Sequence, residues 1–194
     1  MTDRTIRPGP VVPSRVEPVS GVLVHSSADR RLAAEHWLLS TLPEPKQGLR
    51  QWRTTGVAML PLGTLFSAIR LPGRLVLAVI GAHSLPSAEI DTVLEEALGG
   101  APVICDLRHH RYYVLMPASV PTSWREAVDD WRVVDVDALG RGTLLGVPKL
   151  SRTEPLPLDT YWSVPMESAA ALGAPLTVAR FIAAARHLMG AEQP

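Results

Sequence analysis

Residues 102–117 read PVICDLRHHRYYVLMP, two apolar and aromatic runs separated by a charged segment. The runs at residues 102–105 and 111–116 contain valine, isoleucine and tyrosine, which are enriched in β-strands. The segment between them, residues 106–110, is mostly charged and polar, a composition that favours a turn. The pattern therefore predicts a β-hairpin with its turn at residues 106–110.

Further strands are predicted on both sides of this hairpin, because short apolar runs are separated there by turn residues. These strands cover residues 22–24, 57–60, 65–71, 133–136, 143–147 and 161–164. One more apolar run, residues 75–80, fits either a buried strand or a buried helix. So short a run has no periodicity that separates the two.

Helices are predicted where apolar residues recur on one face of a helix. They cover residues 26–42, 87–98, 123–131 and 175–189. Ser26 or Ser27 caps the first, and Pro43 and Pro45 end it. The spacing of Ser123 and Glu126 matches a capping box at the start of the third helix.

Together these segments predict an α+β fold, with a mixed, mostly antiparallel sheet and three or four packing helices. Four prolines and little periodicity predict a flexible or extended arm at residues 1–20. The length fits one domain, here residues 21–190, followed by a short tail at residues 191–194.

The composition excludes several classes of protein. The chain has 194 residues, of which 46% are hydrophobic, so it can bury an apolar core. Its single cysteine excludes a disulfide framework. Nineteen basic and nineteen acidic residues cancel, which argues against tight general binding to DNA. The longest apolar stretch, residues 75–82, is too short to span a bilayer, and residues 1–18 do not look like a secretory signal. We therefore expect a cytoplasmic protein with no membrane partner.

The sharpest enzymatic pattern is Asp135-Val136-Asp137. On a strand, residues two apart project to the same face, so the two carboxylates can bridge metal ions roughly 4 Å apart. Asp106 is a candidate third ligand for Mg²⁺ or Mn²⁺. The alternative interpretation is a solvated strand edge, in which case we expect no cofactor.

Two other groups of residues have an ordinary structural explanation beside a functional one. Cys105, Asp106, His109 and His110 are able to bind a metal, but a polar hairpin turn explains them equally. Five tryptophans and three tyrosines offer surfaces for base stacking, but core packing also accounts for them.

The order of three segments resembles a known family. The segments are TTGVAMLP at residues 54–61, RHHRYYVLMP at residues 108–117 and VVDVDALGRGTLLGVP at residues 133–148. They are similar to the N-terminal domain of bifunctional DNA primase/polymerases, the prim-pol branch of the archaeo-eukaryotic primase superfamily. The resemblance covers about residues 25–165 and is strongest to reduced, stand-alone members.

The resemblance implies a strand with two metal-binding aspartates, then a strand whose histidine holds the nucleotide phosphates, then a glycine-rich turn. The metal strand would fall on residues 65–70, which contain no carboxylate and end in Arg70. The histidine would be His109 or His110. Asp135 and Asp137 follow the histidine strand, so they stand in the wrong order for the family's metal pair. The resemblance thus implies a member that has lost polymerase chemistry, because divalent ions would have no ligands beside the triphosphate.

These observations lead to a binding module as the expected function, with a nucleotide, a single-stranded nucleic acid or a protein as its partner. The candidate cleft is formed by Arg70, His109, His110, Arg111, Gly140, Arg141 and Gly142. Two alternatives stay open. One is a metal-dependent phosphoryl-transfer enzyme that uses Asp106, Asp135 and Asp137. The other is a structural protein that binds a partner through its arm or its last helix.

Overall fold

The structure is a computed structural model that describes residues 26–82 and 85–191. The strands are β1 (Val57–Pro61), β2 (Phe66–Pro72), β3 (Val103–Asp106), β4 (Arg111–Pro117), β5 (Asp137–Leu139), β6 (Leu144–Pro148) and β7 (Thr160–Val164). The helices are α1 (Ser27–Leu39), α2 (Pro45–Thr54), α3 (Gly73–Ile80), α4 (Ala88–Ala97), α5 (Val120–Ser123), α6 (Arg125–Trp131) and α7 (Pro175–Ala191). The predicted arm at residues 1–20 and the strand predicted at residues 22–24 lie outside the described residues.

The strands form two sheets in which every neighbouring pair is antiparallel. A five-stranded sheet has the order β5-β2-β4-β3-β7, and a separate two-stranded sheet pairs β1 with β6. The predicted hairpin is confirmed as β3 and β4, with Asp106 opposite Arg111. The α+β class is also confirmed, although the described residues hold seven α-helices where three or four were expected.

Each face of the five-stranded sheet covers its own apolar core. One face includes Ile69, Cys105 and Tyr112 and packs against residues of α3, α4, α6 and α7. The opposite face includes Ala68, Ile104 and Leu115 and packs against α1, α2 and the β1–β6 sheet. This separation follows from the alternation of side chains along each strand.

The helices that were missed have short or misleading sequence signals. Pro45 was interpreted as the end of α1, but it begins α2, because proline is well tolerated in the first turn of a helix. The ambiguous run at residues 75–80 belongs to helix α3, which ends at Gly81 with a φ of 69°. A left-handed glycine is a common helix end.

Two local predictions were wrong. Residues 133–136 do not form a strand, because Arg132–Val134 is a turn of 3₁₀ helix and Asp135 is left-handed with a φ of 60°. Ser123 does not cap α6, because it ends α5 and its hydroxyl donates to the carbonyl oxygen of Ser119 at 3.0 Å. The helix predicted at residues 123–131 is nevertheless present as α6, and only its predicted cap is wrong.

None of the helices within the described residues is both long enough and apolar enough to cross a bilayer.

A polar contact ties α4 to the edge strand β7. The Asp91 carboxylate accepts hydrogen bonds from the Tyr161 hydroxyl, at 3.1 Å, and from the Ser163 hydroxyl. Burial raises the pKa of Asp91 above its ordinary value, and the two hydrogen bonds oppose this shift in part.

We compare the free energy of unfolding of Asp91→Asn with that of the unsubstituted protein. We expect the value of the variant minus that of the unsubstituted protein to increase as the pH rises from about 4 to 7. The raised pKa means that the folded state binds the Asp91 proton more tightly than the unfolded state. The unsubstituted protein therefore loses stability as the pH rises through that pKa, whereas asparagine does not titrate. Urea unfolding at several pH values measures the difference. Glu95→Gln, on the exposed side of the same helix, is the control, and a difference independent of pH would contradict the expectation.

Candidate functional site

A cleft of about 480 Å³ lies between the two sheets. All seven strands contribute to its lining, and its volume falls in the range of small-molecule sites. The polar lining residues are Arg70, Asp106, His109, Arg111, Tyr113, Thr143 and Thr160, and the others are Val57, Met59, Leu139, Leu144, Leu145 and Gly146.

The sheet register brings most of the polar residues into this cleft. Arg70 on β2 lies opposite Tyr113 on β4. Asp106 on β3 lies opposite both Arg111 on β4 and Thr160 on β7. Because alternate residues share a face, Arg111 and Tyr113 project on the same side of the sheet, away from the core that buries Tyr112. The result is a polar patch at the open end of one sheet face.

The two arginines of the cleft differ in their partners. Arg70 forms an ion pair with Asp137, which lies opposite it across the β2–β5 ladder. Arg111 has no carboxylate within ion-pair distance among the described residues. A guanidinium presents five N–H donors and stays charged, so Arg111 is available to bind an anionic ligand.

His109 is held in place by Asp106. Its Nδ1 lies 2.7 Å from Oδ2 of Asp106. The other carboxylate oxygen, Oδ1, accepts the backbone N–H groups of Arg108 and His109 at 3.1 and 3.2 Å. The Asp106 side chain is 17% exposed, whereas that of His109 is 59% exposed. The turn therefore orients an accessible imidazole at the cleft.

The structure brings together three of the predicted site residues, Arg70, His109 and Arg111. His110 is absent from the lining. It occupies the left-handed region of the turn with a φ of 52°, and its carbonyl oxygen accepts the Gly73 N–H at 2.8 Å. A hairpin turn needs such a residue, and this backbone role accounts for the position.

Gly140, Arg141 and Gly142 form the turn that joins two lining residues, Leu139 and Thr143, without lining the cleft themselves. The turn packs closely on the β1–β2 connection, since a Cβ added to Gly63 would lie 2.5 Å from the backbone nitrogen of Arg141. Arg141 is exposed. The predicted glycine-rich turn thus forms the rim of the cleft.

The three aspartates of the metal hypothesis have different side-chain partners. Asp135 forms an ion pair with Arg74 and Asp137 forms one with Arg70, whereas the Asp106 carboxylate is hydrogen-bonded to Nδ1 of His109. Asp135 and Asp137 do not share a strand face, because only Asp137 belongs to β5. Within residues 26–82 and 85–191, no three histidine, cysteine or carboxylate side chains are grouped so that they could hold a metal ion.

The aromatic residues considered for base stacking mostly belong to the cores. Trp52, Trp131 and Trp162 are buried, and the indole N–H groups of Trp52 and Trp162 donate to the carbonyl oxygens of Val147 and Pro148 at 2.9 Å. Tyr113 is the aromatic side chain in the cleft lining.

The Cys105 thiol is also a core group. It is buried beside the hydroxyls of Tyr112 and Tyr161, and burial raises the pKa of Cys105 to about 12. A thiol with so high a pKa is a poor nucleophile at neutral pH.

Tyr113 was considered for base stacking but not assigned to the cleft, and Thr143, Thr160 and the apolar wall opposite them were not predicted at all. Because side chains alternate between the two faces of a sheet, Tyr113 is expected on the same face as Arg111, two residues before it on β4. The wall comes from Met59 and Leu144 of the small sheet, which are 44% and 58% exposed. Their approach to the large sheet has no local sequence signal.

Comparisons with protein-family models, with curated proteins and with solved structures give no match for this chain.

We expect Gly63→Ala to destabilise the protein by about 2 kcal/mol or more, and Gly142→Ala by about 1 kcal/mol. Both glycines are left-handed, with φ values of 90° and 86°. A Cβ at Gly63 would also collide with the Arg141 backbone, whereas a Cβ at Gly142 would meet nothing within 4 Å. Chemical denaturation of both variants measures the difference, and equal losses would show that the rim turn is not packed as described.

Proposed function

We propose that this protein is a nucleotide-binding domain of the prim-pol type that lacks polymerase chemistry, and that the cleft between its two sheets is the binding site. The observation that carries the proposal is the convergence of Arg111, Arg70, His109 and Tyr113 in one cleft, with Arg111 free of any carboxylate partner in the described structure.

Recognition of a phosphate group by Arg111 is the first part of the proposal. Guanidinium and phosphate form bidentate, charge-assisted hydrogen bonds, which are stronger than those between neutral groups. His109 lies in the same cleft, while Arg70 shares its charge with Asp137. One free cation suits a small anionic ligand better than a long stretch of nucleic acid, whose affinity depends on neutralising many phosphates.

Recognition of a base is the second part. Tyr113 lies beside Arg70 on the sheet, and the exposed side chains of Met59 and Leu144 face the cleft from the small sheet. A planar base between these surfaces would bury apolar area that is otherwise in water. A cleft with one anion-binding end and one apolar wall matches the two halves of a nucleotide.

The sequence resemblance to the prim-pol domain supports this proposal. The strand on which the resemblance would place the metal ligands is β2, which contains Arg70 and no carboxylate. The histidine that the resemblance assigns to the phosphates lines the cleft as His109. Asp106, Asp135 and Asp137 are each paired with a different basic residue, so we favour binding over metal-dependent phosphoryl transfer.

We expect Arg111→Gln to weaken nucleotide binding by about 10- to 100-fold, the effect of losing hydrogen bonds to a charged group. Isothermal titration calorimetry with nucleosides, nucleoside mono-, di- and triphosphates and short single strands would measure it. Arg108→Gln is the matched control, because Arg108 is an exposed arginine in the same turn that does not line the cleft. Equal losses in both variants, or no binding by any nucleotide, would overturn the proposal.

We also expect Gly146→Val to abolish nucleotide binding without unfolding the protein. A Cβ at Gly146 would lie 3.2 Å from Cγ1 of Val57 and 3.7 Å from Sδ of Met59, two side chains of the cleft wall. The backbone of Gly146 is not in the left-handed region, and valine is favoured in strands. Circular dichroism checks the fold, and unchanged affinity in a folded variant would place the ligand elsewhere.

A further inference from the structure

The cleft contains a carboxylate–imidazole pair that nucleotide binding alone does not require. Nδ1 of His109 is engaged by Asp106 at 2.7 Å. Nε2 of His109 has no hydrogen-bond partner within the described residues. We infer that His109, positioned by Asp106, is a general base for the hydrolysis of a phosphate ester held in this cleft. The inference rests on the nucleotide-binding function proposed above.

Asp106 is built to position the imidazole. Its Oδ1 atom is occupied by the two backbone N–H groups of Arg108 and His109, which leaves Oδ2 to face Nδ1. A carboxylate that accepts the Nδ1 proton fixes the tautomer in which Nε2 carries a lone pair. The same arrangement stabilises the imidazolium that forms when Nε2 takes up a proton.

The surroundings of His109 fit a reaction at a phosphorus atom. Arg111 lines the same cleft and has no carboxylate partner there, so it is available to hold the non-bridging oxygens of a phosphate. Charge that builds up on those oxygens as the nucleophile attacks is stabilised by a preorganised guanidinium. Because the imidazole is 59% exposed, water reaches Nε2 without a separate channel.

The step is a hydrolysis in which water is the co-reactant. Nε2 of His109 removes a proton from water as the water oxygen bonds to phosphorus. The bond between phosphorus and the ester oxygen breaks, and the electron pair leaves on that oxygen. The imidazolium then returns its proton to the leaving oxygen or to solvent, which restores the neutral histidine. No oxidation or reduction takes place.

The test uses the full chain and the p-nitrophenyl ester of thymidine 5′-monophosphate, whose leaving group needs no acid catalyst. The assay contains EDTA so that the turnover measured does not depend on added metal. We expect His109→Gln to lower kcat by about 10²- to 10⁴-fold, the usual contribution of a general base. The affinity for thymidine 5′-monophosphate should change by less than about tenfold, because Arg111 still holds the phosphate.

The Asp106→Asn variant tests whether Asp106 positions the His109 imidazole, because the substitution should leave the turn folded. Asparagine retains a carbonyl oxygen that can accept the two backbone N–H groups of the turn, but its amide donates to Nδ1 and selects the opposite tautomer. We therefore expect a lower kcat with an unchanged KM. In His109→Ala, added imidazole should restore part of the turnover, which a purely structural histidine would not allow.

The outcomes distinguish this inference from the function on which it rests. Nucleotide binding without turnover, or turnover that survives His109→Gln, would overturn the general base and leave the binding cleft intact. A failure of every nucleotide to bind would overturn both. Arg108→Gln, in the same turn, should leave kcat and KM unchanged.

Discussion

The antiparallel register between β2 and β4 governs the position of both cores and of the cleft. Seven residue pairs, from Phe66 opposite Pro117 to Pro72 opposite Arg111, decide which side chains share a face. A shift of one residue would exchange the faces, because side chains alternate with a period of two. Arg70 would then lie opposite Tyr112 or Val114 and point into the core that Ile69 now occupies, while Arg111 kept its face. Burying that guanidinium without a partner would cost free energy, which favours the observed register.

The two faces of this sheet are covered to different extents, and the cleft results from that difference. Helices close one face over Ile69, Cys105 and Tyr112. On the other face the small sheet packs on Ala68, Ile104 and Leu115. Beyond these residues the face becomes polar at Arg70, Tyr113 and Arg111, so the small sheet and the large sheet enclose a cleft there instead of a core. A site made this way needs no separate loop or lid to form it.

Local charge pairing explains how a chain with no net charge can leave one arginine of the cleft without a carboxylate partner among the described residues. Asp137 neutralises Arg70, and Asp106 engages His109. Arg111 is left with a full charge beside an apolar wall, in surroundings less polar than water, where its interaction with an anion is strengthened. Asp106 and Asp137 thus have basic side chains as partners, whereas a two-metal site requires carboxylates that bind the ions. Charge balance over the whole chain therefore says little about this cleft.

The amino-acid sequence alone predicts the α+β class, the β3–β4 hairpin and the strands β1, β2, β6 and β7, because alternation and turn residues are local signals. It also singled out Arg70, His109 and Arg111, which the structure places in one cleft. It did not reveal α2, or that Asp135 lies outside strand β5, since Pro45 and the left-handed Asp135 follow local geometry that composition does not show. The contribution of Met59 and Leu144 to the cleft emerges only in the folded chain, because the approach of two sheets depends on packing between residues far apart in the sequence.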